Sequence, residues 1–267
     1  MRASDTIDRA AVARDIAATA REAGALALKW FGGPVKSWMK EGNSPVCEAD
    51  LEVDGLLHQR LNGIDLECGW LSEETEDDPS RLSADLVWIV DPIDGTRGFL
   101  AGLPDWSISI ALAQAGRPIL AAIYAPATEE LFMAGAGAGA TRNGAPITAS
   151  DGPSLAQARV AGPERRLGRL GPLGILPQPK VHSLALRIAR VAHGQLDMAL
   201  AGPNSNDWDL AAADLLVHEA GGALTTLAGE TLIYNQPKPK HSALFAAGRA
   251  RHQALSELMR EGRVALG

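Results

Sequence analysis

Asp91 and Asp94 stand three residues apart in the stretch Asp91-Pro92-Ile93-Asp94-Gly95-Thr96. Two carboxylates at that spacing offer the hard oxygen ligands that divalent cations prefer. Gly95 and Thr96 follow, where a loop can turn into a helix, and the unpaired N–H groups of a helix start suit a phosphate. Acids beside an anion-binding turn point to metal-assisted phosphate chemistry. The plainer reading is a turn capped by aspartate. Further acids offer themselves elsewhere. Glu73 ends the apolar Trp70-Leu71 and opens an acidic run to Asp78. Such runs are usually solvated faces, but one carboxylate held at a strand end can be a ligand. Asp50 and Asp209 each fall in the first turn of an expected helix, where capping alone would explain them. Close packing of the Asp209 helix on the 91–94 loop would make Asp209 a ligand as well. Lys40, in the polar cluster Lys40 to Pro45, is either a solvated loop lysine or a lid residue that reaches a site.

Those residues need elements to position them. Leu86 to Val90 reads as a buried strand that Pro92 should end at Asp91. Ile7 to Phe31 reads as an amphipathic helix stopped by Gly32-Gly33-Pro34, and a second helix opens near Asp50. Trp106–Leu112, Ile119–Tyr124 and Leu131–Ala134 read as antiparallel strands with tight connections. Gly135-Ala136-Gly137-Ala138-Gly139 runs into Asn143-Gly144 and Pro146, so it is a hairpin and not a dinucleotide fingerprint. A proline- and glycine-rich irregular connection over 151–180 divides the chain into halves, 1–150 and 151–267. Beyond it come a helix capped by Ser183, a strand over Leu196–Leu200, and the Asp209 helix, whose Ala212 and Ala213 permit close packing. Strands over Ala223–Leu227, Thr231–Tyr234 and Ser242–Ala247 and a closing helix from Arg249 to Arg260 complete the chain. His182 and His193 lack metal-ligand spacing and read as structural or exposed.

The chain has 267 residues, 46% hydrophobic and 21% charged, which suits an ordinary globular protein. Its net charge of −7 argues against a nucleic-acid surface. It leaves room for a phosphorylated substrate, because bound cations reverse the local sign. Two cysteines, Cys47 and Cys68, make neither a disulfide framework nor a zinc site. No stretch approaches the roughly 20 apolar residues of a membrane span, and the N-terminus lacks an apolar signal segment. A cytoplasmic, reducing location is expected.

Four motifs in order carry a resemblance: Ser44-Pro45-Val46-Cys47-Glu48-Ala49-Asp50, Ser72-Glu73-Glu74, the Asp91–Thr96 stretch, and Trp208-Asp209-Leu210-Ala211-Ala212 with Gly221-Gly222 after it. The chain resembles the inositol monophosphatase superfamily, Mg²⁺-dependent and typically lithium-sensitive phosphomonoesterases, over nearly its whole length. The resemblance implies an α/β (α+β) fold, an alternating αβαβα layered sandwich, with the site between the halves. It implies two or three Mg²⁺ ions per site. Glu73, Asp91 and the carbonyl of Ile93 would hold one, and Asp91, Asp94 and Asp209 a second. Thr96, paired with Asp50, would position or deprotonate the attacking water, and Glu73 would serve catalysis through a further, weaker ion. Gly95 and Thr96 N–H groups would bind phosphate, Asp94 and Asp209 would lie against it, and Lys40 would sit on a lid. A homodimer acting on a small phosphorylated metabolite, with no nucleic acid or membrane partner, is implied too.

Several departures bear on the substrate. Cys47 stands where a threonine is common. Ala199 to Asn204 offers no acid to contact inositol hydroxyls, and Val181-His182-Ser183-Leu184 lacks the usual Gly-Ser. Thr96–Leu100 and Gly229–Tyr234 look more like the adenosine 3′,5′-bisphosphate nucleotidase and histidinol-phosphatase branches. The expected substrates are an adenosine 3′,5′-bisphosphate-type nucleotide or an inositol monophosphate, then histidinol phosphate. Two rivals stand: a sugar bisphosphatase reading a second phosphate with Arg165, Arg166 or Arg187, and a non-catalytic regulatory binding protein on the same fold.

Overall fold

The computed structural model describes residues 7–40 and 45–267. The expected loop Lys40 to Pro45 therefore lies, between those two residues, outside the described part. The chain opens with α1 (Arg9–Leu28), the short pair β1 (Ser37–Met39) and β2 (Pro45–Cys47), and α2 (Glu48–Asn62). A seven-stranded sheet follows: β3 (Cys68–Ser72), β4 (Leu86–Asp94), then after α3 (Thr96–Leu100) β5 (Ser107–Gln114), β6 (Arg117–Ala125), β7 (Glu130–Gly135), β8 (Gly139–Arg142) and β9 (Ala145–Pro146). The strands lie in chain order, β3 parallel to β4 and the rest antiparallel. The second half supplies β10 (Arg159–Ala161), α4 (Glu164–Leu170), β11 (Leu176–Pro177), α5 (Leu184–Ala192), β12 (Met198–Ala201), β13 (Ser205–Asn206), α6 (Asp207–Glu219), β14 (Gly222–Thr226), β15 (Lys240–His241), β16 (Leu244–Gly248) and α7 (Arg249–Arg260). Five of its strands form a second sheet in the order β11-β10-β12-β16-β14.

Five layers alternate. Helices α1 and α2 cover one face of the first sheet, α5 and α6 fill the space between the sheets, and α4 and α7 cover the far face of the second. The pleat explains the sorting, since successive side chains of a strand face opposite ways. On β4, Trp88 and Val90 join the α1–α2 core, while Val87 and Ile89 join the core around α6. A strand buried on both faces needs a continuous apolar run, and Leu86–Val90 supplies one. On β5 and β6 the face toward α6 carries Ala111, Ala113 and Ala121, which meet Ala211, Ala212 and Ala213 of that helix. Small residues on both partners let α6 lie close to the sheet and bring its first turn to the end of β4.

Three local expectations are corrected. Strand β4 does not stop at Asp91 but runs through Pro92 to Asp94. Its register against β5 shifts between Asp91 and Asp94. The irregularity accommodates the missing proline N–H and re-aims the two acids. The 151–180 connection is less irregular than its composition suggests, because it holds β10, α4 and β11. Thr231–Tyr234 is not a strand: that segment is tied instead through Tyr234 N–H to the Gly116 carbonyl and the Arg117 guanidinium to the Leu232 carbonyl.

Candidate active site

Glu73, Asp91 and Asp209 come from three elements and converge: one carboxylate oxygen from each lies within 4.8 Å of the other two. Each is held from behind. Glu73 follows β3, and its neighbours Ser72 and Thr75 donate to the two oxygens of buried Asp54 at 2.5 and 2.7 Å. Asp91 accepts from Ile93 N–H at 3.1 Å through Oδ1, while its Oδ2 is buried with no protein partner. Asp209 accepts from Asn206 N–H at 2.7 Å, so the capping role and the clustering coexist. Asp94 stands beside this group and accepts three bonds from the start of α5: Ser183 Oγ at 2.6 Å, Ala185 N–H at 2.6 Å and Leu184 N–H at 3.2 Å.

The electrostatics follow from this crowding. Burial, then the charge of Glu73, pushes the Asp91 carboxyl well above its ordinary value. Burial and the charge of Asp94 do the same to Asp209. Asp94 is raised only to about 6, because the bonds from α5 offset its burial. Lys40 brings an ammonium within 2.7 Å of Glu74 and 3.4 Å of Glu73. Burial works to lower that ammonium, but the two glutamates outweigh it and hold it above its usual value. An orphaned buried oxygen within an all-oxygen set of like charges suits a hard divalent cation. The group fits Mg²⁺ by that test.

Thr96 Oγ1 lies 3.3 Å from Asp50 Oδ1 and 3.1 Å from the Ile93 carbonyl. Asp50 occupies the third position of α2 and its Oδ2 accepts from Cys47 N–H and Sγ, both at 2.8 Å. Burial lifts Asp50 to about 6 against those bonds, and burial lifts the Cys47 thiol to about 12. Cys47 thus sits directly behind the carboxylate that faces Thr96. Gly95 has φ +95°, and a Cβ there would lie 2.8 Å from Ser183 N and 3.2 Å from the Asp105 carbonyl. Only glycine fits both the left-handed backbone and the close approach of α5.

A cavity of about 400 Å³ joins these groups. Glu73, Asp94, Asp209, Gly95 and Thr96 line it, together with Asn206 and the basic side chains of Arg97 and Lys180. His182 lines it too, while its bonds to Asp105 keep the structural role read for it. Asp105 holds that imidazole at Nδ1, 2.8 Å away, and accepts from His182 N–H at 2.5 Å. The signal for His182 was present in the sequence as the departure from Gly-Ser at this point. His193 lies elsewhere, beside Arg142. Arg165, Arg166 and Arg187 do not line the cavity. Arg187 is committed to the carbonyls of Leu200 and Val181, and Arg166 to that of Leu266.

Comparison with known proteins agrees with this geometry. The model of the inositol monophosphatase family matches residues 8–262. A histidinol-phosphatase of Chlorobaculum parvum is 33% identical over 219 residues, 76% of this chain and 81% of that protein. An inositol-1-monophosphatase of Rhizobium meliloti is 33% identical over 69% of this chain and 73% of its own. The crystal structure of the extragenic suppressor protein suhB from Bartonella henselae superposes with a TM-score of 0.83 at 27% identity, covering 94% of this chain and 99% of that one. No helix among the described residues is long and apolar enough to cross a membrane. Matched along almost its entire length, and carrying its acids where they can share a cation, the chain belongs to the inositol monophosphatase family and is a phosphoric monoester hydrolase.

Proposed function

We propose that the protein hydrolyses a small phosphate monoester with Mg²⁺, and that its leaving group carries a second anionic group, as in an adenosine 3′,5′-bisphosphate-type nucleotide. The observation that carries this is the cavity's division of charge: acids that gather cations, beside Arg97 and Lys180. Glu73, Asp91, the Ile93 carbonyl, Asp94 and Asp209 would hold two or three ions. When bound, these ions supply concentrated positive charge against the transferring phosphoryl group.

The chain's own residues do the rest. N–H groups of Gly95 and Thr96 head α3, where no preceding turn accepts them, and they take phosphoryl oxygens. Thr96 Oγ1 accepts a hydrogen bond from the attacking water and passes its own proton toward Asp50, 3.3 Å away. Water oxygen bonds to phosphorus as the bond to the leaving oxygen breaks, and that oxygen takes a proton from a solvent water while Asp50 returns its own to solvent. Asp94, braced by three bonds from α5, is held at the cavity wall, where it would help to hold a cation. Lys40 donates to Glu73 and would act there as a lid contact.

The substrate-reading role falls to Lys180 and Arg97, with His182 beside them. An acid that would read a polyol's hydroxyls is missing from Ala199–Asn204, which counts against inositol monophosphate. Histidinol phosphate, with a cationic leaving group, is disfavoured by the same basic side chains. The resemblance also supports a cytoplasmic homodimer, which light scattering tests for the oligomer. The deciding experiment is phosphate release with Mg²⁺ from adenosine 3′,5′-bisphosphate, inositol 1-phosphate, histidinol phosphate and fructose 1,6-bisphosphate, repeated with Asp94→Asn. The bisphosphorylated nucleotide should be preferred and the variant inactive but folded. Failure to release phosphate from any of the four would favour a non-catalytic binding protein.

A further inference from the structure

The cation cluster is split across the molecule. Asp91 belongs to the first sheet and Glu73 directly follows its strand β3, whereas Asp209 belongs to α6 in the second half. Something must fix the loop that carries Glu73 relative to the first turn of α6. Arg81 is 1% exposed and bonds to Asp77 on one side and to Asn235 on the other. One edge of its guanidinium grips Asp77, Nε to Oδ1 at 2.5 Å and Nη2 to Oδ2 at 2.8 Å. The other edge donates to Asn235 Oδ1 at 2.6 Å and to the Gln236 carbonyl at 3.2 and 3.3 Å. Asn235 Nδ2 returns a bond to the Arg81 carbonyl at 3.1 Å.

From Asn235 the connection continues to α6. Asn235 N–H donates to Asp207 Oδ2 at 2.7 Å, and His241 Nε2 lies 2.7 Å from Asp207 Oδ1. Strand β15, which contains His241, pairs with β13, and Asn206 of β13 donates its N–H to Asp209. An unbroken series of bonds thus runs from Asp77, four residues beyond Glu73, to the carboxylate of Asp209. A fork of fixed geometry is needed at its centre, since a lysine ammonium cannot grip Asp77 with two bonds and still reach Asn235 and Gln236. Gly69 accommodates the arginine: a Cβ there would fall 2.9 Å from Arg81 Cα and Cβ.

We infer that Arg81 is a positioning residue for divalent-ion binding. It touches none of the clustered acids, yet it holds Glu73 and Asp209 at the separation a shared ion requires. The inference rests on the reading of those acids as ion ligands. Groups that orient metal ligands typically change affinity by about 10- to 100-fold when altered.

The test is Mn²⁺ titration of the full chain without substrate, by calorimetry and by the electron paramagnetic resonance of free Mn²⁺. Wild type is compared with Arg81→Lys, Asn235→Ala, Asp77→Asn and the Asp77→Asn/Asn235→Ala pair. Asn235→Ala removes the side-chain bonds to Arg81 and keeps the N–H, but sets alanine at φ +57°, so Asn235→Gly, which suits that backbone, is measured beside it. Asn235→Gly is the variant to rely on if Arg81→Lys does not fold. Mn²⁺ affinity should fall about tenfold or more in each folded variant. The double change should cost little more than either single one, and raised Mg²⁺ should restore kcat. A Mn²⁺ affinity within about twofold of wild type in folded Asn235→Gly and Arg81→Lys would overturn the relay. Wild type that binds no Mn²⁺ would instead remove the ion-ligand reading, and the relay with it.

Discussion

Replacing Asp91 with asparagine should stabilise the metal-free protein and abolish its response to Mg²⁺. Glu73, Asp91 and Asp209 present oxygens within 4.8 Å of one another. At an effective dielectric constant of about 20, each ionised pair at that distance costs about 3.5 kcal/mol. Partial protonation of Asp91 and Asp209 and the nearby Lys40 ammonium relieve part of this. Removing one charge should still gain about 2–4 kcal/mol near pH 8. The amide also suits the site, since it can keep the bond from Ile93 N–H and give the orphaned position a donor. For a chain of this size the melting temperature in EDTA should rise by about 4–7 °C. Wild type at a Mg²⁺ concentration 100 times its Kd should gain about 2.7 kcal/mol, and the variant nothing. Differential scanning calorimetry in EDTA and in Mg²⁺ measures both. An asparagine variant that melts below wild type in EDTA, or that gains as much from Mg²⁺, would refute the reasoning.

Other expectations follow from single contacts. Gly95→Ala forces a side chain into φ +95° and against Ser183; it should cost about 1–3 kcal/mol of stability and nearly all phosphatase activity, as read by urea melts and phosphate release. Lys180→Ala should raise KM for a bisphosphorylated substrate about tenfold while leaving turnover of p-nitrophenyl phosphate within about twofold, an effect of one lost charge contact. Acid sensitivity should come partly from His252, which burial beside Phe245 lowers to about 4 from 6.5. Its folded value lies below its unfolded one, so the unfolded chain binds more protons and stability falls as pH drops from about 6.5 toward 4. Asp197, held low by Arg159 despite burial, loses its contribution as pH falls below the ordinary carboxylate range. Urea melts should show His252→Phe less sensitive than wild type between pH 6.5 and 4, by about 1–2 kcal/mol after discounting for solvent.

Much of the fold is legible where one rule dominates. The apolar run Leu86–Val90, the Ser183 cap, and the alanine face of α6 each became the element their chemistry demands. Legibility failed where tertiary partners overrule local rules. Pro92 would end an isolated strand, but a register shift against β5 absorbs it. Residues 159–161 look like loop until β12 and β11 are placed on either side. In the site, Asp91 and Asp94 announced themselves by spacing, Glu73 and Asp209 were marked as ligands only by the resemblance, and the structure gathers Glu73, Asp91 and Asp209 across the fold. Lys180 could not be found that way, because no local pattern marks a side chain that reaches a cavity from a turn, and His182 showed only as the departure from the usual Gly-Ser. The same holds for Arg81, whose partner Asn235 is 154 residues away.

Anomalous diffraction from crystals grown with Mn²⁺ tests the shared-cation claim most directly. The account predicts at least two peaks, each about 2.0–2.2 Å from carboxylate oxygens, with Asp91 contacting both and Glu73, Asp94 and Asp209 completing the set. Peaks confined to other acids, or none within coordination distance of Asp91 in a crystal that holds the ion elsewhere, would contradict it.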